Sequence, residues 1–130
     1  MEVCSVYVEC RKEQDAFKWI LSEQAGRDLG EEAIRRWVAE HWNGYLRSKW
    51  LEHLQGIKFW SELDRGDFGL LQRAFKDKSD LLDKILDRLK VGKENLDVLL
   101  WAQNEKRDID QVIEILEALD INSRRLAPAV

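Results

Sequence analysis

Two histidines carry the chemistry most readily available to this sequence, because an imidazole exchanges protons near neutral pH. An arginine precedes each of them within the same stretch of chain: Arg36 comes before His41, and Arg47 comes before His53. The arginine guanidinium is a forked donor that matches the geometry of a phosphate group. Each pair therefore has the residue types needed to bind a phosphodiester and to move a proton at it.

The two pairs follow a known spacing. The segment Arg36-Trp37-Val38-Ala39-Glu40-His41 has the form Arg-x4-His, and the segment from Arg47 to His53 has the form Arg-x5-His. This pattern resembles the Arg-x4–6-His motif of the HEPN family of small all-α domains. The resemblance implies a dimeric, metal-independent ribonuclease in which Arg36 and His41 act on RNA at the dimer interface. We keep this as the alternative function.

Metal binding is not predicted. The candidate ligands are Cys4, Cys10, His41 and His53, and the spacings Cys-x5-Cys and His-x11-His fit no compact zinc pattern. A di-iron bundle needs Glu-x-x-His pairs, which the sequence lacks. Neither a strand nor a helix brings the two cysteines within disulfide reach of each other, which is typical of a reducing compartment. We therefore expect no metal, no cofactor and a cytoplasmic protein.

The elements that must position these residues are predicted to be helices, in an all-α bundle of about six. Asp15 is predicted to cap a helix that ends at Gly26, and the spacing from Asp28 to Glu31 opens a long helix that extends towards Gly56. The later helices are expected at Phe68–Phe75, after Ser79 or Asp80, around Leu96, Leu99 and Leu100, and after the cap Asp108.

The two ends of the chain give weaker signals. Residues 3–8 are rich in β-formers but also carry apolar residues at helical spacing, so residues 1–14 are predicted to be a flexible arm, a strand or a helix. Residues 123–130 are predicted to be a fraying tail. The whole chain, 1–130, is expected to form a single all-α domain.

Composition excludes several classes of protein. The chain has 130 residues, a net charge of −4 and 45% hydrophobic residues, which is typical of a globular domain. The sequence pI of about 5.3 makes a nucleic-acid partner unlikely, because phosphate contacts need a basic surface. No run of about 18 uncharged apolar residues is present to span a membrane. The N-terminus has acids at Glu2 and Glu9 and no basic start, unlike a secretory signal.

The predicted long helix has two different apolar faces. Before Gly44, apolar residues such as Trp37 and Tyr45 lie on one side of the helical wheel, and after Gly44 the apolar side rotates to Leu46, Trp50 and Leu54. One interpretation is that the helix breaks or kinks at Asn43-Gly44, since Gly is a poor helix former. The other is that the helix is intact and its second face meets another subunit.

Six tryptophans in so short a chain favour a contact surface, because Trp is enriched at the energetic centres of protein interfaces. The sequence therefore predicts a non-catalytic protein–protein interaction or adaptor subunit. It would self-associate, most simply as a dimer, or bind a partner protein through a Trp-rich helix face. The predicted partner-binding residues are Trp42, Leu46, Trp50 and Leu54, with Arg47 and Lys49 at the rim.

Overall fold

A computed structural model describes residues 2–128 and is mostly helical (69%), with six α-helices and one pair of very short parallel strands. The predicted all-α bundle is confirmed. The elements are β1 (Val3–Cys4), α1 (Val6–Ala25), α2 (Glu31–Leu54), β2 (Phe59–Trp60), α3 (Leu70–Ala74), α4 (Ser79–Lys90), α5 (Asn95–Asn104) and α6 (Ile109–Leu119). Short 3-10 turns at Arg65–Asp67 and Lys76–Lys78 join the later elements.

The N-terminal segment is a short strand followed directly by a helix. β1 pairs in parallel with β2, a partner that the sequence did not reveal, and α1 begins at Val6 instead of after Asp15. The helix begins there because Ser5 caps it and the Glu62 carboxylate accepts hydrogen bonds from the Ser5 hydroxyl and the Val6 N–H, at 2.6 and 2.7 Å. Burial alone raises the pKa of Glu62, but these hydrogen bonds outweigh it and leave that pKa below its ordinary value.

The long helix α2 runs without a break through Gly44, so of the two interpretations of its apolar faces the break at Asn43-Gly44 is wrong. It is intact because both of its apolar faces are covered within the same chain. α2 contacts α1, α3, α4 and β2, and its buried residues extend from Ala33 to Leu54. Packing on several sides compensates the low helix propensity of a single glycine, which is about 1 kcal/mol.

The C-terminal half supplies most of the core around α2. Asp108 caps α6 as expected. The apolar stripe of α4 is buried and consists of Leu81, Leu82, Ile85, Leu86 and Leu89. In α5 the buried side chains are Val98 and Ala102, whereas Leu96 and Leu100, which we expected to lie on its apolar face, are exposed. One hydrophobic cluster includes residues from Val6 to Ile121.

The C-terminal segment packs on the helices up to the last described residues. The Trp42 indole N–H donates to the Leu126 carbonyl at 3.0 Å, and the Tyr7 hydroxyl donates to the Ala127 carbonyl at 2.7 Å. Leu126 and Ala127, within the predicted fraying tail of residues 123–130, therefore contact the helices. Residues 129 and 130 lie outside the described residues. Between residues 2 and 128, no helix combines the length and apolarity needed to cross a membrane.

Replacing Gly44 with Ala is expected to stabilise the protein. Gly44 lies inside a continuous helix, and nothing lies within 4 Å of the position that a Cβ would take. The substitution should raise the free energy of unfolding by about 0.5–1 kcal/mol and Tm by about 2–4 °C. The matched control is Gly26→Ala, which should destabilise, because Gly26 has a φ of +70° at the end of α1. Thermal melts followed by circular dichroism measure both, and a lower Tm for Gly44→Ala would contradict a continuous α2.

Candidate interaction surface

The predicted docking face lies inside the chain. Trp42, Leu46, Trp50 and Leu54 are all members of the core cluster, and even the indole of Trp50 is only 7% exposed. The reason is that the face of α2 expected to meet another subunit is covered by the C-terminal half of the same chain, where the guanidinium of Arg124 lies 5.0 Å from the Trp50 ring. As folded, these side chains are not available for docking.

Arg47 and Lys49, which were predicted to lie at the rim of the docking face, contact other residues of the same chain. The Arg47 guanidinium bonds the Glu94 carboxylate at 3.2 Å and reaches Asn122, so it joins α2 to the segments around α5 and α6. The Lys49 ammonium lies about 5 Å from the centres of the Tyr45 and Trp60 rings and 3.5 Å from a Glu52 carboxylate oxygen. Both side chains are therefore mostly buried against the surface of the monomer.

The two residues of the Arg-x4-His pair both lie beside Glu40. Arg36 and His41 lie about 140° apart around α2, given 100° per residue. The Arg36 Nε donates to the Glu40 carboxylate at 2.9 Å, while the His41 ring, 50% exposed, makes an edge-to-face contact with Phe17 at 5.3 Å between ring centres. The His41 Nε2 also lies 3.7 Å from the second oxygen of the Glu40 carboxylate, so Arg36 and His41 both lie against the same acid.

The other pair is structural. His53 is fully buried: its Nδ1 accepts the Trp60 N–H at 3.2 Å, and its Nε2 donates to the Asp64 carbonyl at 2.7 Å. These bonds fix the neutral ring with the proton on Nε2, because Nδ1 is occupied as an acceptor. His53 therefore ties the segment after α2 to the helix, and it lies apart from Arg47.

The cysteines show no sign of reactive chemistry. Cys10 is buried, and its burial raises the pKa of the thiol to about 11, so the thiol stays protonated and unreactive at neutral pH. Within residues 2–128, no three His, Cys, Asp or Glu side chains are grouped so that they could hold a metal ion.

The least covered apolar residues of α1 lie in its outer half. α1 and α2 form an antiparallel hairpin closed by Gly26 and by a hydrogen bond of 3.1 Å from the Leu29 N–H to Ser22 Oγ. No α1 residue beyond Gln14 is fully buried, because the outer half of the hairpin has no third layer behind it. Trp19 is 65% exposed there and Ile20 49% exposed.

Trp19 belongs to a stripe on the outer face of α1. Lys12, Ala16, Trp19 and Glu23 follow each other at intervals of four, three and four residues, and they fall within about 60° of the helical wheel. This is the spacing of a coiled-coil seam. We call these four residues the α1 seam. All four are exposed, so the seam is a free surface of the described chain.

A groove runs beside the seam. It has a volume of about 560 Å³ and lies between α1 and α2, with Phe17 and Ile20 on one wall and Trp37, His41 and Tyr45 on the other. Glu13, Glu40 and Lys49 lie along its edges, so it carries charges of both signs. The seam and the groove together make an apolar band with mixed charges on both sides.

The sequence contained a signal for this surface. Trp19 is out of phase with Phe17, Ile20 and Leu21, which share the other side of the helical wheel. A large aromatic residue opposite the apolar stripe of a helix indicates an exposed contact. The tryptophan count was informative in the same way: Trp37, Trp42, Trp50 and Trp60 are buried, Trp101 is half-buried, and Trp19 alone of the six is exposed.

Comparisons with known proteins add no family. No family model matches the chain, and no curated protein and no solved structure gives a significant match to it. The function is therefore argued from the geometry of the chain itself.

Replacement by glutamate should destabilise the protein strongly at Trp50, which was predicted to be a surface residue, and only slightly at Trp19, which is one. Trp50→Glu should lower the free energy of unfolding by at least about 3–5 kcal/mol, because it removes a buried ring and buries a carboxylate, whereas Trp19→Glu should change it by less than about 1 kcal/mol. Urea denaturation followed by circular dichroism measures both. A Trp50→Glu variant that is as stable as the wild type would contradict the burial of Trp50 and indicate that it is a surface residue.

Proposed function

We propose that this protein is a non-catalytic interaction subunit of the cytoplasm that associates with a second copy of itself through α1. The observation that carries the proposal is the self-complementary order of the α1 seam. In an antiparallel pair of α1 helices with a two-fold axis between Ala16 and Trp19, Trp19 of each copy lies opposite Ala16 of the other. In the same arrangement Lys12 lies opposite Glu23.

The residue types suit this pairing. A tryptophan opposite an alanine alternates large and small side chains, as close helix packing requires. Lysine opposite glutamate gives one attractive pair on each side of the two-fold axis, and a symmetric interface repeats each contact twice. Lys12 now makes an exposed ion pair with Glu9 at 3.3 Å, which is weak enough to be exchanged.

Pairing of two α1 helices would also cover the outer half of the α1–α2 hairpin, which has no third layer of its own. Two antiparallel hairpins that pack along α1 form a four-helix unit, which is a common way to cover half-exposed helices. Trp19 would be the central anchor of that contact, and the ion pairs would set direction and register more than they add affinity. A seam of this length predicts a modest affinity, because the contact is limited to about three turns of one helix.

Charge exchange in the seam is the expected test. Lys12→Glu leaves only acids, at positions 12 and 23, and Glu23→Lys leaves only bases there, so each variant should repel itself. Mixed in equal amounts, the two variants should associate with each other at least as well as the wild type does with itself. Sedimentation velocity over a concentration series measures both states. Trp19→Glu should be monomeric, and Ile57→Ser, an exposed apolar residue elsewhere, is the matched control that should leave association unchanged.

The outcomes separate clearly. Monomeric single variants that pair with each other support the antiparallel seam. A wild type that stays monomeric at concentrations up to about 1 mM, or single variants that associate like the wild type, would overturn it. A dimer that Trp19→Glu leaves intact would place the contact elsewhere on the chain.

The competing proposal is the HEPN-like ribonuclease that uses Arg36 and His41. The observation in its favour is that His41 is half exposed at the edge of a groove, where pairing of two hairpins would bring a second copy close. The expected result under this proposal is cleavage of single-stranded RNA in the presence of EDTA that is lost in His41→Ala. The control is Gln24→Ala, an exposed residue of α1. Absence of cleavage by the wild type would end this proposal.

A further inference from the structure

A second exposed apolar surface lies in the C-terminal half of the chain, on α5 and α6. Leu96 and Leu100 are 66% and 54% exposed and lie one turn apart on α5, while Ile113 is the exposed apolar residue of α6. Leu99 lies between them at the edge of a groove of about 320 Å³ that separates the two helices. We call Leu96, Leu99, Leu100 and Ile113 the α5–α6 patch.

The patch exists because α5 is apolar over more of its circumference than the core needs. Val98 and Ala102 already fill the buried side of this helix. Leu99 lies about 100° from Val98, and Leu96 and Leu100 lie further round, given 100° per residue. Leu100 lies opposite the buried side, so apolar residues extend around α5 from the core to its outermost position, which indicates a surface with a purpose beyond the monomer.

The rim of the patch is acidic. Asp110, Ile113, Glu117 and Asp120 follow each other along one face of α6, and Glu114 lies next to them. Glu114 pairs with Lys78 at 3.3 Å, but Asp110, Glu117 and Asp120 form no ion pair with any residue from 2 to 128. At the α2 end of the groove, the guanidinium of Arg47 reaches Asn122 but is already bonded to Glu94. The rim therefore offers uncompensated negative charge.

We propose that the α5–α6 patch binds a basic amphipathic helix of a different protein. The leucines would receive the apolar face of that helix, as in other helix-in-groove contacts, and the carboxylates of α6 would face its lysines or arginines. An acidic rim repels anionic lipid, which disfavours a membrane surface as the occupant. A second copy of this chain is disfavoured as well, because it would set one row of α6 carboxylates against another.

The proposal does not depend on the pairing of α1 seams, because the two surfaces share no residue. A protein that has both would join a partner helix to a dimer, which is what an adaptor does. The Trp19→Glu variant separates the two proposals: it should lose self-association and keep the binding of a basic helix.

The test uses a defined peptide. An 18-residue fluorescein-labelled peptide with leucines at helical spacing on one face and lysines on the other is titrated with the full chain, and anisotropy reports binding. The matched peptide carries glutamates in place of the lysines. We expect the basic peptide to bind in the micromolar range, with weaker binding as salt increases, and the acidic peptide to bind at least about tenfold more weakly.

Variants of the chain assign the site. The double substitution Leu96→Ser with Leu100→Ser should weaken binding of the basic peptide at least about tenfold, because it removes the apolar side chains that the peptide would cover on binding. Ile57→Ser is the matched exposed control and should bind like the wild type. Glu117→Lys should weaken binding about three- to fivefold at low salt, while Asp83→Lys, an exposed acid on α4, should have a smaller effect.

Three results would overturn the proposal. The first is equal binding of the basic and the acidic peptide, and the second is a double leucine variant that binds the basic peptide like the wild type. The third is a double leucine variant that loses self-association, because the patch would then be a contact between copies. Thermal melts followed by circular dichroism show whether each variant is folded, so that unfolding is not mistaken for loss of binding.

Discussion

The constraint on which the structure depends is that α2 must bury apolar side chains on two sides. Its first half has Trp37 on one side, and its second half has Leu46, Trp50 and Leu54 on the other. A straight helix with this pattern is stable in water only when other elements cover both sides. The chain supplies them: α1, β2, α3 and α4 all pack against α2. Most of the remaining architecture follows from that arrangement.

Several polar contacts hold the covering elements in place. Glu62 binds the start of α1, His53 binds the segment after α2, and Trp42 holds the C-terminal segment across the helices. Each contact joins parts of the chain that are distant in sequence or separated by a turn. Because buried hydrogen bonds are costly to leave unmade, they select one arrangement among those that apolar packing alone would allow.

The need to cover both sides of α2 also explains why apolar side chains of α1 and α5 remain exposed. α2 draws its neighbours towards its middle and C-terminal half, so the outer part of the α1–α2 hairpin has no further layer and exposes Trp19. At the other end of the chain, α5 needs only Val98 and Ala102 to close the core, and its leucines remain outside. Two apolar surfaces of different character result. One is self-complementary in its order of charges, and the other is surrounded by acids, which is why we propose a second copy for the first and a basic helix for the second.

The local signals of the sequence determined the helices. Apolar periodicity located α4, the cap Asp108 located α6 and Gly26 located the end of α1, because a cap and an apolar stripe act within one or two turns. The cap expected at Ser79 or Asp80 was wrong, since α4 begins at Ser79 without a capping side chain. Local signals did not locate elements that depend on a residue distant in sequence. β1 forms only by pairing with β2, and α1 begins at Val6 because Glu62 accepts a hydrogen bond there. The unbroken α2 is the clearest case, since local propensity at Gly44 favours a break and only packing on both sides of the helix opposes it.

The candidate surface shows the same division. The sequence alone determined that a Trp-rich helical protein would have more apolar surface than one stripe per helix. It could not determine which tryptophans remain outside, because the wheel of α2 is the same whether its second face meets another molecule or the C-terminal half of the same chain. Only the tertiary structure decided that Trp42 and Trp50 belong to the core and Trp19 to the surface, because burial depends on which elements pack together and not on the order of residues within one helix.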